Sequence, residues 1–349
     1  MWLGIDTYIF PTKKMRDVDS YLWKHTPLDL DQMPNFDNYI DKKKWVYNVA
    51  RHNIKIVQRN LKYCVKKSKY KVGLYRLPNN LIPGFLYRPT SWYIQDHLED
   101  IKPLLFEIGE YARQNKIRLT FHAPMTVVLN SINQYVVSNS IFTLNKLVWL
   151  YQSMGFDTTR FHSHGITICL HVGGKQGGIE NFKAVLRTLS KDVLNLIAVE
   201  NDDKLYSVED LVLADLPIPI IADLHHNWCL TGEYIEPKSM LYKQVKDSWD
   251  SITPIIHASM PRYECCKWYY GDVKVNQLDC WTDLPDREAL MSKCTLQNLR
   301  PHSKTIYSYA FKHYLSTFLK YSDIMIEAQN CNLATTSLGK WIVRGKNGK

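Results

Sequence analysis

The sequence predicts a single (β/α)8 TIM barrel with long loops after its first and seventh strands. Three observations carry that prediction: eight short apolar runs rich in Val and Ile, amphipathic stretches of helical period between them, and no linker in 349 residues that would mark a second domain. A chain of this length buries a large core, and one barrel with additions accounts for it.

The first apolar run, residues 2–5, reads as the opening strand. Residues 7–45 follow with Pro11, Pro27 and Pro34, two acidic-polar patches and few periodic apolar positions, so they are expected as a long loop. A helix is expected over 46–65, the second strand over 72–76, and helix and strand alternate from there: 93–115, 117–122, 135–154, 166–171, 179–189, 196–200 and 208–215. Pro217-Ile-Pro219 ends the last of these helices and starts the strand at 218–223, since proline cannot continue a helix. A strand at 253–257 precedes a second long loop, 258–300, in which Tyr263, Trp268, Tyr269, Tyr270 and Trp281 mix with Arg262, Lys267 and Lys274. The last strand is 323–327. The barrel is thus expected over 1–330, with 331–349 as a basic tail frayed from Arg344 onward.

Hydrophobic residues make up 45% of the chain and charged residues 22%, which excludes a disordered, collagenous or low-complexity protein. No apolar run approaches the roughly 20 residues of a membrane helix, and the N-terminus lacks a secretory signal. A soluble, intracellular protein is expected, cytoplasmic in a prokaryotic or viral host, with no membrane partner. The eight cysteines show no C-x-x-C spacing, so neither a disulfide framework nor a zinc knuckle is expected. The formal charge of +10 points to an anionic partner without saying which.

Chemistry enters at the strand ends. His122, His171, Glu200, Asp223 with His226, and Glu327 each close an apolar run, and His257 closes a sixth. In a parallel barrel these ends share one rim, so residues far apart in sequence converge there. Any one such histidine is more often hydrogen-bonded structure than a ligand; the set argues otherwise, because unpaired buried charges are costly and metals are among the few partners that offset several at once. Nitrogen and carboxylate donors without thiolate favour Mn²⁺ or Zn²⁺. Cys169 and Cys229 neighbour these residues in sequence but are expected to point elsewhere, and His225 is a weaker candidate than His226.

Leu170-His-Val-Gly-Gly174, the block Val199-Glu-Asn-Asp-Asp203 continuing to Asp210, Asp223-Leu-His-His226, Ile256-His-Ala-Ser259 and Asp323-Ile-Met-Ile-Glu-Ala328 resemble the UV damage endonuclease (UvdE) family, a relative of the endonuclease IV group. The resemblance is strongest over 166–226 and weak before residue 70; Tyr75-Arg-Leu77 and Leu81-Ile-Pro83 support it. It implies a barrel nuclease with a three-metal cluster, usually manganese, that cuts DNA immediately 5′ to UV photoproducts, with abasic sites as a further candidate substrate. Carried over by motif, His122, His171 and Glu200 hold one metal; Glu200, bridging and catalytic, joins Asp223, His257 and Glu327 around a second; His226 and His302 take the third.

Three positions depart from the family pattern. The Gln-Tyr wedge that follows the first histidine is Met125-Thr126 here, a lysine near the metals is Ile255, and a histidine beyond Pro83 is Arg88, which can bind a phosphate instead. The pair Gln134-Tyr135 falls where a helix starts and is read as coincidence. Lesion contacts are therefore sought at Met125, Thr126, Tyr87, Trp92 and Trp228, beside strand ends, since apolar side chains inserted at a base step hold kinked DNA open. Lys42 to Lys44, Lys62, Lys66, Lys67 and Lys69 add positive charge for the backbone of a damaged duplex. No protein partner is evident and a monomer is expected. Two other readings stay open: a sugar isomerase or epimerase with one metal, and a damaged-DNA-binding protein with an idle site.

Overall fold

The structure, a computed structural model, describes residues 1–10, 28–262, 265 and 283–347. Expectations placed on Pro11, Pro27, Tyr263, Lys267, Trp268, Tyr269, Tyr270, Lys274 and Trp281 lie outside these residues. Eight parallel strands run in sequence order around a closed barrel: β1 Leu3–Asp6, β2 Val72–Arg76, β3 Arg118–His122, β4 Thr167–His171, β5 Ile197–Glu200, β6 Ile220–Asp223, β7 Ile255–Ala258 and β8 Asp323–Ile326. The α-helices among the described residues are α1 Tyr39–Lys67, α2 Leu98–Gln114, α3 Gln134–Ser153, α4 Gly178–Leu186, α5 Lys191–Leu194, α6 Val208–Leu213, α7 Leu224–Thr231, α8 Met240–Asp247, α9 Arg287–Met291, α10 Leu296–Leu299, α11 Tyr309–Phe318 and α12 Cys331–Asn347. No described helix is long and apolar enough to cross a membrane.

The chain divides into two compact units. One comprises Met1–Phe10, Lys67–Leu74 and Val199–Lys349. In it β5 pairs with β6 (Glu200↔Ile221), β6 with β7 (Asp223↔His257), β7 with β8 (Ala258↔Ile326) and β8 with β1 (Ile5↔Ile326). Side chains alternate along a strand, so Ile221 and Asp223, Ile255 and His257, and Asp323 and Met325 share one face while Ala222, Ile256 and Ile324 take the other. Gly4 belongs to the first face, where a Cβ would meet Leu74 and Met325 side chains at 2.8 and 2.9 Å. Any larger residue there would require one or both of these side chains to shift.

The expected tail is a correction. Residues 331–347 form α12, and Cys331, Ala334, Leu338 and Ile342 are buried at spacings of three and four, the helical period. Thr335 donates to the Gly4 carbonyl at 2.9 Å, and Asn332 bonds both main-chain groups of Phe10. The segment's basic end masked an amphipathic helix. Helices α8 and α11 were likewise absent from the sequence reading, which left 224–252 and 301–322 unassigned.

The second unit comprises Pro11–Lys66 and Tyr75–Ala198. Here α1 starts at Tyr39, seven residues before the expected helix, because Asn38 accepts from the Asp41 amide at 2.9 Å and stops the chain as a cap. Asn53 of α1 holds the loop after β1, accepting from Leu28 N–H and donating to the carbonyls of Leu28 and Asn80. β3 and β4 pair with His122 opposite Cys169, and the buried Tyr151 hydroxyl of α3 lies 2.9 Å from the Thr167 carbonyl.

His162, just before β4, is fully buried, with Nδ1 2.9 Å from the Ile166 carbonyl. Burial pushes its pKa down to about 3, against the opposing pull of that carbonyl. The unfolded chain therefore takes up a proton below about pH 6.5 that the folded chain refuses, and stability falls as pH drops toward 3, by up to about 1.4 kcal/mol per pH unit. Thermal melts of His162→Gln against the parent from pH 7 to 4 should show a shallower loss in the variant; parallel curves would refute this role.

Candidate metal centre

Each strand carries an ionisable side chain at its last or last-but-one residue, or one residue beyond: Asp6, Arg76, His122, His171, Glu200, Asp223, His257 and Glu327. Asp6 and Arg76 were missed in the sequence reading, although the same period-two count reaches them. Residues 200, 223, 257 and 327 are buried, which requires that their charges be compensated within the protein.

Glu200, Asp223, His257 and Glu327 each offer a ligand atom within 4.8 Å of the others. His257 Nδ1 lies 2.8 Å from Glu200 Oε1 and 3.1 Å from Glu327 Oε1, so one imidazole nitrogen faces two carboxylates. Asp223 is both the last residue of β6 and the N-cap of α7; its Oδ1 accepts from the His226 amide at 2.7 Å. The cap geometry explains the Asp-x-x-His spacing, because the N-cap side chain faces the third helical residue. Oδ2 of Asp223 is buried and, among the described residues, accepts no hydrogen bond. Burial raises the Asp223 pKa, and the neighbouring Glu200 and Glu327 carboxylates raise it further against the pull of His226 and His257.

His226 Nδ1 lies 3.2 Å from the Asn201 carbonyl, 3.6 Å from Glu200 Oε1 and 3.9 Å from Asp223 Oδ2. Burial alone would lower its pKa; Asp223, Glu200 and Glu327 outweigh that and raise it to about 9. His302 sits at the same edge, donating from Nδ1 to the Glu327 carbonyl at 2.6 Å, with its ring 5.7 Å from that of His226. His225 turns away: its Nε2 meets the Arg300 carbonyl at 3.0 Å, and burial pushes its pKa well down.

In the other unit His122 and His171 end adjacent strands with ring centroids 5.2 Å apart. His122 Nδ1 donates to the Ala123 carbonyl at 3.0 Å, which leaves Nε2 as the lone-pair nitrogen. Cys169, expected to point elsewhere, shares the face of His171 two residues on and offers its sulfur within 4.8 Å of a His122 ring nitrogen. The Cys229 sulfur lies 3.7 Å from His225 Nε2.

The donor set fits a divalent cation. Three buried carboxylates converge with imidazoles beside them, and among the described residues one carboxylate oxygen has no hydrogen-bond partner. Such groups compensate a cation far better than they compensate one another.

Of the residues expected on DNA, Met125 is 79% exposed and its neighbour Thr126 is exposed with it after β3, while Tyr87 is exposed in the connection after β2. Arg88 lies over the Phe142 ring at 4.9 Å and donates to the Ser138 carbonyl at 3.2 Å. Trp92 packs edge-on against Tyr39 and donates to the Pro89 carbonyl. Trp228 is a correction: only 1% exposed, it lies in α7, stacks on His225 and donates to the Pro285 carbonyl, so it is core and cannot reach DNA. Among the lysines, Lys43 is committed to Asp96 at 2.6 Å.

A sequence model of the family described as UV-endonuclease UvdE matches residues 12–342. The UV DNA damage endonuclease of Halalkalibacterium halodurans is 30% identical over 221 residues, 59% of this chain and 65% of that protein. That of Bacillus cereus is 24% identical over 253 residues, 70% of this chain and 75% of that one. The crystal structure of SacUVDE matches over the whole of both chains with a TM-score of 0.67 at 20% identity, a likeness of fold.

Cation binding is expected to stabilise the folded chain by mass action, about 2.7 kcal/mol at a hundredfold excess over Kd. Thermal melts in chelator and in Mn²⁺ check this. Asp223→Asn should be neutral or stabilising in chelator, where it relieves carboxylate repulsion, and should lose most of the Mn²⁺ shift; an undiminished shift would exclude Asp223 as a ligand.

Proposed function

The chain belongs to the UV-endonuclease UvdE family, and on that premise we propose that it is a metal-dependent DNA repair endonuclease that hydrolyses the phosphodiester immediately 5′ to UV photoproducts, and also acts at abasic sites. The observation that carries this reading is the buried cluster of Glu200, Asp223, His257 and Glu327, in which Asp223 Oδ2 has no hydrogen-bond partner among the described residues. Three ions are proposed, Mn²⁺ by the nitrogen and oxygen donor set, with Zn²⁺ as the alternative. His122, His171 and Glu200 hold one; Glu200, Asp223, His257 and Glu327 hold the second; His226 and His302 hold the third. When bound, such ions neutralise the phosphate oxygens, make an attacking water more acidic and stabilise the leaving 3′ oxygen.

The side chains do the rest. Glu200, shared between two ligand groups, orients the attacking water, so no side-chain nucleophile is needed. His257 and Glu327 hold the Glu200 carboxylate in place through the short contacts around Nδ1 of His257. Met125 and Thr126, in the loop after His122, take the position of the family's wedge, and Tyr87 and Arg88 meet the duplex from the loop after β2. An exposed methionine enters a base step by apolar contact and is indifferent to which lesion has weakened the stacking. The substrate is damaged double-stranded DNA, met by a soluble monomer.

End-labelled duplexes carrying one pyrimidine dimer, one 6-4 product or one abasic site provide the test. A single nick 5′ to the lesion, present with Mn²⁺ and absent with chelator, is expected; no nick on any lesion with any divalent ion refutes the proposal. Glu200→Ala should lower cleavage by about 10²–10³-fold while damaged-duplex binding persists.

A further inference from the structure

The block Glu200-Asn-Asp-Asp203 stands out in the sequence, yet only Glu200 has a role in the reading above. Its other three residues make well-defined contacts. The β5–β6 ladder ends at Glu200↔Ile221. One residue on, the Asn201 side chain continues the pairing: Oδ1 accepts from Asp223 N–H at 2.7 Å and Nδ2 donates to the Asp223 carbonyl at 3.1 Å. A carboxamide has the same donor and acceptor as a peptide group, so this fully buried asparagine acts as an extra rung. Its own carbonyl receives His226 Nδ1–H at 3.2 Å. Asp223 and His226 are thereby fixed by one residue, with Oδ1 of Asp223 consumed by the helix cap and Oδ2 left over.

Asp202 closes the loop, accepting from Lys204 and Leu205 amides at 2.7 and 2.6 Å. Asp203 then pairs with Arg300 at 3.1 Å. Arg300 begins the strap that carries His302: its carbonyl meets His225 Nε2 at 3.0 Å, Ser303 N–H donates to the Met260 carbonyl at 2.8 Å, and Gln329 donates to the His302 carbonyl at 2.8 Å. The strap lies in a long connection after β7, where chain entropy would otherwise scatter the imidazole.

We propose that the loop after Glu200 organises the centre, with Asn201 positioning Asp223 and His226, and Asp203, through Arg300, positioning His302. Both are positioning residues, and the proposal rests on the reading of these groups as ligands of divalent ions. Partners that orient metal ligands are commonly worth 10–100-fold in metal affinity.

Mn²⁺ titration of the full chain followed by electron paramagnetic resonance, with parallel thermal melts in chelator, tests it. N201A should weaken Mn²⁺ binding by about 10–100-fold, and N201D, which removes the donor toward the Asp223 carbonyl, should do likewise. Asp203→Arg should weaken the loosest-bound class of ions, and adding Arg300→Asp should restore it. This partly exposed pair keeps the test decisive if Asn201 variants fail to fold. Mn²⁺ affinities unchanged within twofold, with only the chelator melts lowered, would show a merely structural role and overturn the proposal. A parent chain that binds no Mn²⁺ overturns both this proposal and the metal-dependent nuclease; one that binds Mn²⁺ with these sensitivities yet nicks no lesion supports this proposal and overturns the nuclease alone.

Discussion

Three carboxylates brought together out of water are the constraint on which the rest of this structure depends. Glu200, Asp223 and Glu327 are each buried and lie within a few ångströms of one another around His257. In a low-dielectric interior, like charges at that separation repel strongly, and each has lost its hydration. The same carboxylates act on their neighbour: they raise the His226 pKa to about 9 despite its burial. A flexible scaffold would let the groups separate. Parallel strands paired in fixed register, Asp223 opposite His257 and His257 opposite Met325, do not.

Economy of groups is the second feature. Asp223 ends a strand, caps a helix with one oxygen and offers the other to the cluster. The amino end of α7 also favours that negative charge through its aligned peptide dipoles. Because β6 passes into α7 without a loop, the positions of Asp223 and His226 follow from backbone geometry that both regular elements enforce. The same economy holds at the chain's end, where α12 buries an apolar stripe and hydrogen-bonds β1 at Gly4. A helix that only the last residues supply thus completes the packing of the first strand.

Exposure separates the loop residues from those at the strand ends. Met125 and Thr126 stand at the tip of the loop after β3, exposed to solvent, where a change of side chain costs the core nothing. Arg88 is held against Phe142 and Ser138 rather than projecting freely. Trp228 marks the opposite case: a large aromatic two residues from His226 in sequence, it is committed to the core by its stacking on His225.

The barrel was legible in the sequence because its strands announce themselves: a run such as 166–171 is apolar, β-branched and short, and its neighbours have helical period. The ionisable residues at the strand ends were legible for the same reason, since such a residue closing an apolar run is conspicuous. What stayed hidden shared one property, dependence on contacts distant in the chain. Nothing local distinguishes Asn201 from an ordinary loop asparagine; its role exists only because β6 ends beside it. The α12 helix read as a basic tail because its apolar positions gain meaning only against β1, and Trp228 read as a DNA contact because burial is decided by what packs over a residue. The sequence by itself therefore determined the fold class, the family and the chemical character of the strand ends, all of which follow from local pattern. Which oxygen of Asp223 is left over, which imidazole turns inward and which side chains hold them there were decided by tertiary structure alone, because hydrogen-bond partners and burial are properties of neighbours in space.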